Sequence, residues 1–270
     1  MKKLMLFVTC LVWINASAQP NPAPKARHKF IVICHRGDHV IYPENTLAAY
    51  AEAIKNRADY VEIDLRTTSD SALVSMHDAT TDRMTDAKGA IKDMTFEAVE
   101  QLKVKSRDSL DKTVYRVPTF EQILTLCKDK IYIYIDFKNA SAAATYTTLK
   151  KYGMEKQVLV YINNMQQFID WRHVAPAMPL MFSMPNNIKD VAGIQTFINQ
   201  VKPDILDGSW KEYTKEMVQY ANEQHIPVWP DIQSRDEDKN WDAAIALGLK
   251  GLQTDHPAAL IKYLEEKGLR

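Results

Sequence analysis

Hydrophobic and polar positions follow two alternating periods along this chain. Short runs of β-branched and aromatic residues, typical of buried strands, are separated by longer stretches with the apolar spacing of amphipathic helices. The runs predict eight strands, at residues 30–34, 60–65, 131–137, 158–161, 180–183, 205–208, 227–230 and 251–254. The stretches between and after them predict helices at 46–56, 120–127, 141–152, 165–174, 191–201, 211–225, 237–247 and 257–267.

Strict alternation of strands and helices favours a parallel sheet, and a count of eight favours its closure into a (β/α)8 TIM barrel. An open doubly wound sheet is the alternative, which the count disfavours. Residues 66–118 break the rhythm with a hairpin edge at 73–76 and a short helix near 95–102. We therefore expect a small insertion after strand two, on the face of the barrel where the loops that follow strands gather.

The first eighteen residues have the pattern of a secretory signal peptide. Lys2 and Lys3 precede an apolar run at 4–14, and Ala16-Ser17-Ala18 follows it. The run is too short to span a bilayer. We expect cleavage after Ala18, a flexible leader at 19–29 rich in Pro, Lys and Arg, and one barrel domain at 30–270. The mature protein is then exported, periplasmic or secreted, without stable membrane insertion.

Composition excludes some partners. The chain has 34 basic and 34 acidic side chains, so its net charge gives no reason to expect nucleic acid as a partner. Outside the predicted signal peptide there are two cysteines, Cys34 and Cys127. Their apolar neighbours favour two separate core residues over a disulfide.

Strand two carries acidic residues on one face. Side chains alternate along a strand, so Val61, Ile63 and Leu65 point one way while Glu62 and Asp64 point the other. In a barrel the acidic face points to the axis, where neighbouring carboxylates repel unless a cation or protons hold them. A solvated acidic face is the alternative, which a strand covered on both sides disfavours.

A third carboxylate, Asp136, stands at the carboxyl end of the next barrel strand, where barrel enzymes keep their sites. With Glu62 and Asp64 it forms a set of oxygen donors suited to a hard divalent ion, Ca²⁺ or Mg²⁺. A zinc site would also need His35 and His77, and we rank it lower.

Two histidines and two cationic side chains stand near this acidic set. His35 and Arg36 follow strand one directly, and His77 follows the hairpin edge. A lone histidine is usually structural, but two beside a carboxylate cluster suit an acid and a base that work near neutral pH. Arg36 and Lys138 offer charges for an anionic substrate. We expect Gly37 to let the backbone approach the ligand closely.

Four motifs stand in order along the mature chain: His35-Arg36-Gly37 with Pro43-Glu44-Asn45-Thr46-Leu47; Glu62-Ile63-Asp64-Leu65; Val74-Ser75-Met76-His77-Asp78 with Asp82-Arg83; and Thr254-Asp255-His256-Pro257. Together they resemble the glycerophosphodiester phosphodiesterase family. The resemblance implies a (β/α)8 barrel with an insertion after strand two. It also implies hydrolysis of a small-molecule glycerophosphodiester to glycerol 3-phosphate and an alcohol.

The resemblance also implies roles: general acid and base for His35 and His77, metal ligands for Glu62 and Asp64, phosphate contacts for Arg36 and Lys138. The family's third ligand is a Glu two residues before that Lys, and here it is Asp136, whose shorter side chain reaches less far. An Asp at this position also resembles the sphingomyelinase D group, which cleaves choline phospholipids by intramolecular attack.

The sequence also departs from the family pattern on the side that would hold the leaving group, so the identity of the alcohol is not predicted. These three departures are Asp70-Ser71, Ser183-Met184-Pro185 and Trp229-Pro230-Asp231-Ile232. We predict Trp229 as a substrate contact on the rim and interpret Asp255 as rim or scaffold. Three alternatives stand beside the main hypothesis: a sphingomyelinase D-like enzyme, a barrel that binds phosphorylated ligands without catalysis, and a zinc-dependent hydrolase of other esters. The oligomeric state is not predicted.

Overall fold

The computed structural model of this chain describes residues 20–270. The predicted signal peptide, 1–18, lies outside these residues and stays a prediction. Within the described part of the chain, no helix is both long and apolar enough to cross a bilayer.

One curled sheet forms the centre of the structure. Its strands are β1 (Ile31–Cys34), β2 (Tyr60–Thr67), β3 (Leu73–Ser75), β4 (Tyr132–Phe137), β5 (Val158–Ile162), β6 (Leu180–Ser183), β7 (Ile205–Asp207) and β8 (Gly251–Thr254). Seven of them run in the parallel order β7-β6-β5-β4-β2-β1-β8, and β3 pairs antiparallel with β2 outside this path.

The sheet closes through the segment 227–232, which lies between β7 and β8. Isolated parallel bridges join Val228 to Leu206 on one side and Asp231 to Gln253 on the other. The prolines at 227 and 230 have no backbone N–H to donate, so this segment pairs without forming a regular ladder. It occupies the eighth strand position of the barrel, and the predicted (β/α)8 barrel is confirmed.

The helices are α1 (Leu47–Lys55), α2 (Phe96–Gln101), α3 (Phe120–Cys127), α4 (Ala142–Tyr152), α5 (Met165–Val174), α6 (Val191–Val201), α7 (Lys215–Glu223), α8 (Trp241–Ala246) and α9 (Pro257–Glu266). Two differ from prediction: the stretches 211–225 and 237–247 each begin with a 3₁₀ turn, at Trp210–Glu212 and Glu237–Asn240. Thr214 is extended and caps α7, so the α-helix begins only after it.

Alternate side chains of each strand point to opposite faces of the sheet and form two apolar layers. One face packs under the helices and includes Val61, Ile63 and Leu65 of β2. The other face fills the barrel interior with Ile31, Ile33, Tyr60, Tyr134, Leu159, Met181, Ile205 and Trp229. Cys34 and Cys127 are buried free thiols, as predicted.

The insertion after β2 has a hydrophobic core of its own. Ser75 of β3 pairs with Leu65 near the carboxyl end of β2, which places the insertion at that mouth of the barrel. Its buried residues are Val74, Met76, Ile91, Val99, Leu102, Val104, Tyr115 and Val117. The insertion is therefore a small packed unit seated on the barrel.

Residues 20–29 cross the opposite, amino-terminal end of the barrel. The hydroxyl of Tyr60 donates to the carbonyl of Pro24 at 2.7 Å, and that of Tyr132 donates to the carbonyl of Lys25 at 2.7 Å. These contacts attach the described part of the leader to the barrel. Its flexibility stays a prediction.

Arg270 closes the same end. Its side chain, 2% exposed, places Nη1 2.6 Å from Oδ2 of Asp59 and 3.1 Å from the carbonyl of Phe30. The other carboxylate oxygen of Asp59 lies 2.8 Å from Nδ1 of His28. The buried carboxylate of Asp59 and the buried guanidinium of Arg270 therefore neutralise each other at this end of the barrel.

Substitution of Arg270 by Ala is expected to lower the free energy of unfolding by about 3 kcal/mol, because it leaves the carboxylate of Asp59 buried with its main partner gone. Chemical denaturation measures the change. The matched control is Lys267→Ala, since Lys267 pairs with Asp242 at an exposed site, 3.3 Å apart. Equal losses in the two variants would contradict the importance of burial at Arg270.

Candidate active site

Three carboxylates meet at the carboxyl end of the barrel strands. Glu62 and Asp64 point inward from β2, and Asp136 points inward from β4, where it lies directly opposite Asp64 in the ladder. One oxygen of each lies within 4.8 Å of the other two. Glu62 and Asp64 are 2% and 1% exposed, so two of the three charges are almost removed from water.

Two cations compensate this cluster in part. Nζ of Lys138 lies 3.1 Å from Oδ1 of Asp64 and also contacts Asp136, and Nε of Arg36 lies 3.6 Å from Oδ2 of Asp64. Burial, with the charges of Asp64 and Asp136, raises the pKa of Glu62 well above its usual value. Burial opposes the charge of Lys138, but the carboxylates outweigh it and raise the pKa of that ammonium.

The cluster fits a hard divalent cation. Its donors are all carboxylate oxygens, which Ca²⁺ and Mg²⁺ prefer. Oδ1 of Asp64 is buried and accepts no hydrogen bond from the described residues, although Lys138 lies near it. A buried acceptor without a donor is costly, so a cation at this point would satisfy it.

Asn45 holds Asp64 in place. Nδ2 of Asn45 donates to Oδ2 of Asp64 at 2.7 Å. Its own Oδ1 accepts from the hydroxyls of Tyr50 at 2.8 Å and Ser75 at 2.9 Å. The backbone of Asn45 has a φ of +56°, a strained conformation that this buried network stabilises.

The turn after β1 positions Arg36. Its φ of +54° directs its backbone N–H to Oε2 of Glu62 at 2.6 Å, and its Nη1 donates to Glu44 at 2.9 Å. Gly37 has a φ of +84°, and a Cβ there would lie 2.8 Å from Cβ of Ala49 in α1. Close packing of α1 therefore requires this glycine, and the expected close approach to a ligand does not explain it.

His35 is oriented by a carboxylate from the far end of the chain. Its Nδ1 donates to Oδ1 of Asp255 at 2.7 Å, which leaves Nε2 for a substrate. Nε2 of His39 lies 3.5 Å from the same oxygen, and burial lowers the pKa of His39 although Asp255 opposes this. Neither Asp255 nor His39 was predicted as a residue of the site. The position of the Asp255 carboxylate directly after β8 could have indicated that Asp255 belongs to it.

His77 is oriented in the same way within the insertion. Its Nδ1 donates to Oδ1 of Asp78 at 2.8 Å, and Nε of Arg83 donates to the other oxygen of Asp78 at 2.7 Å. Arg83 also donates to Glu44 at 2.7 Å, and Glu44 pairs with Arg36. Hydrogen bonds from Arg83 hold the pKa of Asp78 below its usual range. This chain of ion pairs connects the insertion to the barrel wall.

Trp229 does not reach this mouth. Its indole is 6% exposed and packs in the barrel interior, with its ring centroid 5.5 Å from that of Tyr60. A Cβ on Gly251 would lie only 2.4 Å from Trp229, so the glycine makes room for the ring. The prediction that Trp229 contacts substrate is wrong, because the indole is a core side chain sealed from the mouth.

Comparison with known proteins places these features in a family context. The model of the glycerophosphoryl diester phosphodiesterase family matches residues 35–259. A glycerophosphodiester phosphodiesterase of Caldanaerobacter subterraneus is 26% identical over 257 residues, which cover 89% of this chain and 100% of that protein. Human glycerophosphodiester phosphodiesterase 1 is 40% identical over 134 residues, which cover 48% of this chain and 40% of that protein.

Solved structures share the fold. A glycerophosphodiester phosphodiesterase from Agrobacterium tumefaciens superposes with a TM-score of 0.74 at 18% identity, covering 85% of this chain and 98% of that one. A phosphodiesterase from Oleispira antarctica, solved in complex with the product sn-glycerol-3-phosphate, gives a TM-score of 0.77 at 20% identity, covering 87% of this chain and 96% of that one.

Proposed function

This chain belongs to the glycerophosphoryl diester phosphodiesterase family, and we propose that it hydrolyses glycerophosphodiesters to glycerol 3-phosphate and an alcohol. The observation that carries the proposal is the meeting of Glu62, Asp64 and Asp136 with Arg36 and Lys138 at one mouth of the barrel. Carboxylates for a cation and fixed cationic side chains are what a phosphodiester needs around it.

Glu62, Asp64 and Asp136 would hold one divalent cation, Ca²⁺ or Mg²⁺. When bound, it supplies Lewis-acid stabilisation of charge on the phosphoryl oxygens. Arg36 and Lys138 bind the same phosphate from the protein side. Both are already fixed by carboxylates, so they need little reorganisation when negative charge develops.

His35 and His77 act as the acid and base pair. One takes the proton of the nucleophile at Nε2, and the nucleophile is either water or the neighbouring hydroxyl of the substrate's glycerol. Attack by the hydroxyl would give a cyclic phosphate, which a water must then open to yield glycerol 3-phosphate. The other gives its proton to the oxygen that leaves as the P–O bond breaks. Asp255 and Asp78 support these roles because each holds the Nδ1 of one ring. The pattern of residues 1–18 supports action outside the cytoplasm, in the periplasm or as a secreted protein.

An assay of the full chain with glycerophosphocholine, in each divalent ion after chelation, tests the activity. We expect release of glycerol 3-phosphate that Ca²⁺ or Mg²⁺ restores. Faster cleavage of lysophosphatidylcholine would instead favour the sphingomyelinase D-like alternative, to which Asp136 also corresponds. Restoration by Zn²⁺ alone would favour a zinc hydrolase. Binding without turnover in any ion would contradict catalysis.

A further inference from the structure

Two more carboxylates lie inside the barrel, on the wall opposite β2. Asp207 ends β7, and Asp231 lies on the neighbouring segment 227–232, whose backbone N–H at Asp231 donates to the carbonyl of Gly208 at 2.8 Å. The hydroxyl of Tyr134 donates to Oδ2 of Asp207 at 2.8 Å, and Nε2 of Gln253 donates to Oδ1 of Asp231. These residues serve no role in the chemistry described above.

Two buried acceptors in this group have no donor among the described residues. Asp207 is 3% exposed and its Oδ1 has no hydrogen-bond partner within residues 20–270. Gln253 is 5% exposed, and its Oε1 is equally unpartnered there. Burial, followed by repulsion from Asp231, raises the pKa of Asp207. N–H donors that also carry positive charge would satisfy these unfilled acceptors and relieve the repulsion between the carboxylates.

Aromatic rings complete the surroundings. The ring of Tyr161 lies 6.0 Å from that of Tyr134, and its hydroxyl is 2.8 Å from Oγ of Ser183. Burial, with the charge of Asp207, raises the pKa of Tyr161 to about 12, so the phenol stays neutral. Neutral aromatic faces beside carboxylates are favourable neighbours for an ammonium group.

Charges divide the mouth into two sides. Arg36 and Lys138 follow β1 and β4. The three carboxylates on the same side would be offset by the cation proposed there. Asp207 and Asp231 stand on the wall between β6 and β8. A phosphate held on the first side faces carboxylates on the second. The mouth is therefore complementary to a zwitterion with an anionic and a cationic end.

We propose that Asp207, Asp231 and Gln253 form a head-group subsite for an alcohol that carries a primary ammonium, of the ethanolamine class. This deepens the proposed function and rests on it. A quaternary ammonium has no N–H for the two unfilled acceptors, and a neutral alcohol brings no charge for the two carboxylates. The subsite thus discriminates among substrates by the charge of the alcohol and by whether it carries N–H donors.

Specificity constants for glycerophosphoethanolamine, glycerophosphocholine and glycerophosphoglycerol test the subsite. In the wild type we expect kcat/KM for glycerophosphoethanolamine to exceed that for glycerophosphoglycerol about tenfold, since hydrogen bonds to charged groups have about this value. In Asp231→Asn this ratio should fall towards one. An equal loss for all three substrates would overturn the proposal, because it would indicate a contact with the shared glycerol or a structural role.

The matched control is Asp204→Asn. Asp204 is a buried carboxylate that pairs with Arg172 and accepts from Asn21 of the leader, so it lies away from the mouth. Its loss should lower the melting temperature without changing the substrate ratio. If Asp231→Asn does not fold, Gln253→Met replaces it, because this change removes one of the unfilled acceptors and is expected to reduce the same ratio.

Failure of the subsite and failure of the proposed function give different results. Equal rates with the three diesters would overturn the subsite and leave the function intact. If no diester is cleaved, the function fails, and calorimetric titration of the wild type with ethanolamine then decides the subsite. Saturable binding that Asp231→Asn weakens about tenfold supports it, and no binding overturns it.

Discussion

Glu62→Gln is expected to lower kcat/KM about a thousandfold, because it removes one of three ligands of a cation whose contribution is several kcal/mol. The same change should leave the cation-free protein as stable as the wild type or more so. Glu62 is buried beside Asp64 and Asp136, and a neutral amide there removes repulsion while its oxygen still accepts from the backbone of Arg36.

Melting curves with and without Ca²⁺ or Mg²⁺ check this expectation. A cation that binds only the folded wild type raises its melting temperature, and the rise should vanish in Glu62→Gln. The raised pKa of Glu62 also determines how stability depends on pH in the cation-free wild type. Its free energy of unfolding should fall as pH rises above about 4.5 towards the pKa of the folded state. In that range the folded form holds a proton that the unfolded form has lost. Full activity in Glu62→Gln would contradict the proposed ligand set.

Alanine at His35 or at His77 is expected to lower kcat about a hundredfold or more, the usual contribution of a positioned acid or base. Each ring has its Nδ1 held by a carboxylate, so removal of the ring takes away the group that carries the proton. Steady-state kinetics with glycerophosphocholine measure the loss. The double variant should lose less than the product of the two single losses if the rings act in one concerted proton relay.

His173→Ala is the matched control, since His173 is exposed in the last turn of α5 and should leave kcat unchanged. Asp255→Asn should lower kcat less than His35→Ala, because Asp255 positions the ring and does not itself carry the proton. Near wild-type turnover in both single alanine variants would remove the acid and base assignment.

Most of the barrel was predictable because each strand is short, apolar and bounded by polar residues. Leu180–Ser183 and Gly251–Thr254 match prediction to the residue. The segment 227–230 was predicted as a strand, but its prolines interrupt the ladder. The break before α7 was missed because the capping role of Thr214 depends on a backbone conformation that propensity alone does not specify.

The carboxylate cluster was also predictable, because the two-residue period of a strand and the register of parallel strands bring Asp64 and Asp136 side by side. The orienting partners were harder to predict. His35 and Asp255 are separated by 220 residues, and only closure of the barrel brings them together. Trp229 failed as a prediction because the period gives the face of a residue and not its depth inside the barrel.

His77 belongs to the insertion, which packs around its own apolar core, whereas His35 belongs to the barrel wall. The two rings proposed to carry protons therefore depend on two different apolar cores, one in the insertion and one in the barrel. A local opening of the insertion would withdraw His77 and Arg83, and it would also remove Ser75 from the hydrogen-bond network through which Asn45 holds Asp64. Loss of the insertion's packing is therefore expected to abolish the proposed acid and base pair even where the barrel stays folded.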